Sequence, residues 1–199
     1  MSVSNNALCS LEEVQSYYFL NSNGTFPTSS TMNDKLEDLI NRKSTQLLKY
    51  VGIDTFLTTT RTEYYDGNGT KYLFLKYKPV NSIASIYDDT DWEWDGDSLI
   101  AATDYRIVGN RFVVLKDDIF TTGDQNIKIT YSSGYSEIPG DVKQACIEEI
   151  VFAYENANQH RIGLIQKTID GAGSVQYYET GIMKSTTQIL NKYKSIMVM

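Results

Sequence analysis

Histidine is almost missing from this 199-residue chain: His160 is the only one. A serine or cysteine nucleophile needs a histidine base in a particular setting, and His160 stands at a helix end with no GxSxG-like segment anywhere. Nucleophilic catalysis is therefore poorly served. Cysteine is scarce too. Cys9 and Cys146 are far apart in the sequence and fit no metal-ligand spacing, so they read as two reduced thiols, Cys146 on an apolar helix face. No run of eighteen apolar residues suits a membrane helix. The start, MSVSNNALCSLEEV, lacks the basic and apolar regions of a secretion signal, so no export or membrane attachment is expected. Positive charge is the last shortage. A formal net charge of −7 and scattered lysines argue against a protein that grips nucleic acid by neutralising phosphates.

What is present is apolar and aromatic. Apolar residues make up 41%, enough for a real core, and 15 tyrosines favour strands and interfaces. Ser10 and Glu13 have the spacing of a capping box, and Leu11, Val14, Tyr17 and Tyr18 give the helix that follows one apolar side. A second helix is expected from Thr31 or Asn33 to about Tyr50, with Leu36, Leu39, Ile40, Leu47 and Leu48 inward and Gly52 closing it.

From Arg61 to Tyr131 the apolar period changes to two. TEYYDGNGTKYLFLKYKPV reads as a hairpin about Asp-Gly-Asn-Gly, NSIASIYDD as a strand with Ile83 and Ile86 inward, and DTDWEWDGDSLI as a hairpin tip. DYRIVGNRFVVL reads as two strands about Gly109 and Asn110, and Ile127, Ile129 and Tyr131 alternate in a last strand. Pro139 and Asp141 then open a long helix whose apolar rows are Val142, Ala145, Cys146, Ile150 and Ala153, and Ile147, Val151 and Tyr154. The segment after His160 keeps no period, is rich in glycine, and carries too many apolar residues for a solvated linker; it reads as a binding arm, with the Asp170–Ser174 stretch as its bend. Ser185 or Thr186 can cap a closing helix.

The fold class expected is α+β: a bundle of about four helices with an inserted, mostly antiparallel β unit. The divisions are 1–60 (helical), 61–131 (β unit), 132–160 (long central helix), 161–184 (arm) and 185–199 (C-terminal helix and tail).

Three chemical patterns fail on inspection. The acidic run from Asp88 to Asp97 has oxygen ligands at alternate positions and a glycine at the sixth, but a calcium loop needs a carboxylate at its twelfth, which is Ala102. A solvated hairpin tip is the better reading. Glu148 and Glu149 point about a quarter turn apart on a helix, and nothing fixes two carboxyls for glycoside hydrolysis. The DGAGS glycines have neither the lysine nor the preceding strand of a phosphate loop. No enzyme, metal or cofactor is expected.

The order of segments is similar to that of the head-to-tail connector (adaptor) proteins of tailed bacteriophages. It runs LEEVQSYYF, LEDLINRKSTQLLKYVGIDTF, TEYYDGNGTKYLFLKYKPVNSIASIYDD, DYRIVGNRFVVL and IKITYSSGYSEIPGDVKQACIEEIVFAYEN. Residues 64–67, 73–86 and 130–145 match most closely, and the ordered set carries the resemblance. It implies a structural virion protein at the neck, assembled in the host bacterial cytoplasm as a ring under the portal vertex. Such a ring extends the DNA channel, docks on the portal protein, and offers a surface to a stopper or tail-completion protein. The β insertion here is larger than in shorter members.

On this reading the ring is expected to be twelve-fold to match a portal. Ile165, Ile169, Val175, Tyr177 and Tyr178 are expected to anchor the arm on neighbouring subunits. Ile189, Leu190, Tyr193, Ile196, Met197, Val198 and Met199 are expected to dock on the portal, the alternative being that this helix merely covers the bundle core. Genomic DNA should pass the acidic lumen without tight binding. Two other readings stand beside it: a tail-completion or stopper protein, and a carbohydrate-binding module that uses Trp92, Trp94 and the tyrosines.

Overall fold

A computed structural model describes residues 2–22, 29–158, 166–169, 173–176 and 181–194. The chain forms two compact units, one from Met1–Asp54 with Ile138–Lys194, the other from Thr55–Glu137.

Among its described residues the first unit holds four helices. Helix α1 (Leu11–Ser22) opens on the expected capping box: Glu13 N donates to Ser10 Oγ at 3.2 Å, and Ser10 N donates to Glu13 Oε2 at 2.8 Å. Helix α2 (Ser30–Val51) begins slightly before the expected start, because the Ser29 hydroxyl accepts from Met32 N. It ends where Gly52, at φ +82°, turns left-handed and donates its N–H to Leu48 O and Lys49 O. Helix α3 (Gly140–Asn158) buries Val142, Ala145, Cys146, Ile147 and Ile150, and α1, α2 and α4 (Lys184–Asn191) all pack on it. The two apolar rows read from the sequence are thus covered from more than one side.

Helix α4 departs from expectation at its start. Met183 is the N-cap, and Ser185 and Thr186 lie in the first turn. The cap comes from another helix: Met183 N donates to Glu149 Oε1 at 2.6 Å. Within residues 161–184, where no periodic structure was expected, Gln166–Ile169 (β7) pairs antiparallel with Gly173–Gln176 (β8). Four-residue strands are too short for an alternating pattern to stand out.

Glu13 also pairs with Lys143 Nζ at 2.7 Å, joining α1 to α3. Burial alone would raise its carboxyl, but the Lys143 and Ser10 bonds outweigh that and hold it below the ordinary 4.5. A lowered folded value means the stabilisation is complete above the unfolded value and lost as pH falls through the folded one. Glu13→Gln, which keeps an acceptor for the Ser10 amide, is expected to cost up to about 1 kcal/mol at neutral pH, the worth of a partly exposed pair, and less at acid pH below the ordinary carboxylate value. Urea midpoints of both proteins at the two pH values check this.

The second unit contains two three-stranded antiparallel sheets. One has the order β1 (Thr59–Gly67), β6 (Gly123–Ser133), β3 (Val80–Asp88); the other has β2 (Tyr72–Phe74), β5 (Phe112–Leu115), β4 (Tyr105–Val108). Ile86, Ile127, Ile129 and Tyr131 of the first share one buried cluster with Leu73, Val113 and Leu115 of the second. The β4–β5 hairpin is the expected one. The hairpin expected about Asp-Gly-Asn-Gly is not formed: β1 pairs with β6 and β2 with β5, so this turn carries the chain from one sheet to the other. Polar contacts join β1 to β6 and to the segment that follows β2. Tyr65 and Tyr131 both donate their hydroxyls to Glu63 Oε2, while Tyr65 Oη accepts from Lys76 N at 2.8 Å. Burial and the Glu63 carboxylate push both phenols well above their ordinary values.

Candidate functional site

The buried polar groups of the helical unit are structural. Glu149, 1% exposed, holds Lys43 Nζ at 3.1 Å besides the Met183 amide, and Glu148 accepts from Gln144 four residues away. The two neighbouring glutamates therefore have separate partners and form no acid–base pair. Cys9 and Cys146, so distant in sequence, lie with their sulfurs 3.8 Å apart, and Ser44 Oγ is 3.8 Å from Cys146 Sγ. Both thiols are free and buried; the Cys146 contact and then burial push Cys9 well above its ordinary value.

The acidic run is equally explained by backbone geometry. Asp89 accepts from the amides of Asp91 (2.9 Å) and Trp94 (2.7 Å), which hold its carboxyl below the ordinary value, and Asp95 accepts from Asp97 and Ser98. The loop returns beside β3 through a bridge between Tyr87 and Leu99. Its carboxylates are turn formers. The expected hairpin tip carries Trp92 and Trp94 on no strand: each sits in the left-handed region, at φ 59° and 57°.

Together with the ends of β1 and β6 this loop builds an open groove of about 610 Å³, lined by Tyr64, Asp66, Trp92, Trp94, Asp124 and Gln125. Tyr64 and Trp94 meet with ring centroids 5.6 Å apart at 57°. The Trp92 indole N–H donates to Asp124 O at 3.2 Å, and Gln125 N donates to Asp66 Oδ1 at 2.7 Å. Lys128 Nζ lies 5.6 Å from the centre of the Trp94 ring. Trp92 is 57% exposed and Tyr64 49%. Sequence reading singled out the two tryptophans and missed Tyr64, Asp66, Asp124 and Gln125, whose approach depends on the pairing of β1 with β6. A second, acidic groove of about 660 Å³ runs past Asp97, Asp104, Asp117 and Asp118.

Other apolar surface is open. Tyr72, Phe74 and Phe112 form an aromatic row on the β2–β5 pair, with centroid distances of 6.2 and 5.2 Å, and Phe19 and Leu20 are exposed on α1. Of the residues expected to dock on a portal, Ile189 and Tyr193 are half-buried. Tyr193 Oη donates to Asp141 Oδ1 at 2.6 Å, and Leu190 is wholly buried in the core of its own chain. Ile196, Met197, Val198 and Met199 lie outside the described residues. Of the expected arm anchors, Ile169 falls in β7 and Val175 in β8; Ile165, Tyr177 and Tyr178, like His160, lie outside the described residues.

Most buried polar groups of the described residues are thus tied up in packing, and aromatic surface is left open. The chain belongs to the head completion protein family, which it matches over residues 7–196. The match bears out the resemblance to the head-to-tail connector proteins of tailed bacteriophages. The fold is similar to that of chains in a gene transfer agent particle. One, in the virion of the native particle, is 13% identical with a TM-score of 0.58, covering 100% of this chain and 95% of that one. Another, in the neck of the empty particle computed with C6 symmetry, is 12% identical at 0.58, covering 100% and 95%. A third, in the neck of the native particle computed with C12 symmetry, is 12% identical at 0.53, covering 100% and 94%. No curated protein matches the chain.

Proposed function

We propose that this protein is a head-to-tail adaptor: a ring of twelve copies under the portal vertex that extends the DNA channel and receives a stopper or tail-completion protein. The observation that carries the reading is a fold similar along the chain to that of a component of a particle neck computed with C12 symmetry, in a chain of the head completion family. In such a ring each copy gives a different face to each neighbour, and rotation closes the contact. The exposed Tyr72–Phe74–Phe112 row and the α1 residues Phe19 and Leu20 supply apolar surface for such contacts. The helices would act as a bundle, with the segment 161–184 reaching a neighbouring copy through Ile165, Ile169, Val175, Tyr177 and Tyr178. Ile189, Tyr193 and the residues Ile196 to Met199 would meet the portal, held in place by the buried Leu190.

The net charge of −7 per copy gives the ring a negative field that keeps a passing duplex off the wall. Native mass spectrometry of the protein mixed with its portal is expected to show a closed twelve-copy assembly, and those rings should retain no duplex DNA on a filter at low salt. A two-fold dimer, or no association of the folded protein with portal, overturns the ring. Tight DNA retention that falls steeply with salt overturns the passive channel.

A further inference from the structure

Among the described residues, three of the four non-glycine ones with positive φ line the same groove: Trp92, Trp94 and Gln125. Left-handed backbone at such residues costs about 1 kcal/mol or more each, and strain of this kind gathers where a surface must be held in one shape. Here it is held by the bonds of Asp89 to Trp94, Asp66 to Gln125 and Trp92 to Asp124. The result presents aromatic faces beside the carboxylates of Asp66 and Asp124. Trp92 and Tyr64 nonetheless remain about half exposed.

We propose that the groove is a docking site for an arginine side chain on an extended segment of another protein chain. A guanidinium is flat and weakly hydrated, so it stacks on Trp92 or Tyr64 while its N–H fork reaches a carboxylate. Charge complementarity selects it over a neutral occupant: the carboxylates of Asp66 and Asp124 line the groove and outnumber the one ammonium beside it, Lys128 at the Trp94 ring. Lysine suits the site less, because a compact, strongly hydrated ammonium gains little from a stacked plane. A neutral sugar could stack on the same rings but would make no use of the paired charges. The inference goes beyond the adaptor reading and holds whichever chain supplies the segment, and whether or not copies close into a ring.

The chain's two tryptophans are both in this groove, so tryptophan fluorescence reports on it alone. The probe is the acetylated, amidated peptide Gly-Arg-Gly-Arg-Gly, with a counterpart in which neutral citrulline replaces arginine. The arginine peptide is expected to give a saturable change, with the citrulline peptide about tenfold weaker. Asp124→Asn should weaken arginine binding about tenfold, and Tyr64→Ala, which keeps both reporters, about threefold or more. Asp117→Asn removes the same charge from the other groove and should change binding less than about twofold. Circular dichroism confirms that each variant is folded. No saturable response, equal losses for Asp124→Asn and Asp117→Asn, or a response to cellohexaose in place of the peptide overturns the proposal.

Discussion

Glu149→Ala is expected to lower the stability of the helical unit by about 3–5 kcal/mol, the cost of breaking one side of a buried ion pair. The carboxylate is 1% exposed and serves two partners, Lys43 Nζ at 3.1 Å and Met183 N at 2.6 Å. Its removal strands an ammonium whose side chain is only 16% exposed, and leaves the first amide of α4 without its acceptor. Attraction between the charges is not what makes the loss large; the group left behind is. The double variant Lys43→Met, Glu149→Gln separates the two, because it removes both charges and keeps an oxygen for Met183. It should recover most of the loss in urea denaturation. A double variant as unstable as Glu149→Ala would show that the charge left behind is not the cause. Hydrogen exchange should also speed up at the start of α4 in Glu149→Ala, since Leu190 and the Tyr193–Asp141 and Tyr50–Asn191 bonds all hold its later turns.

Gly67→Ala should be nearly as damaging, at about 3 kcal/mol or more, since a core collision with backbone cannot be relieved by turning a side chain. A Cβ at Gly67 would lie 1.7 Å from Thr121 O and 2.9 Å from both terminal atoms of Asn126. Asn126, 1% exposed, is the clamp at this corner: its Oδ1 accepts from Gly67 N, and its Nδ2 donates to Asp88 Oδ1 and Thr121 O. The methyl group would therefore push apart the ends of β1 and β3 together with the loop before β6. Gly96→Ala is the matched control, with nothing within 4 Å of its added Cβ, and should change stability by less than about 0.5 kcal/mol. Thermal unfolding of the two variants measures the difference, and similar midpoints would refute the account.

Gly67 also shows where reading the sequence stops. In YYDGNGT it looks like a hairpin glycine, and the local signal for a tight turn is strong. Its actual constraint is a carbonyl 54 residues further along the chain. The same holds for the groove. Two tryptophans in an acidic loop were visible, but the carboxylates that face them come from β1 and β6, while Asp89 and Asp95 of the loop accept from its own backbone.

The sequence by itself determined the capping box at Ser10 and Glu13, the glycine stop at Gly52, the Gly109–Asn110 hairpin, the alternation of β6 and the apolar rows of α3. These depend on residues within a few positions of one another, where backbone geometry and side-chain period act directly. The order of its segments also carried the resemblance to phage connector proteins, because such an order survives as a pattern along the chain. Tertiary structure alone decided that β1 pairs with β6 and not with β2, that Lys43 meets Glu149 across 106 residues, and that the Met183 amide is capped from α3. A strand's alternation states which side is buried but not which strand lies beside it, and a buried charge finds its partner only when whole elements pack.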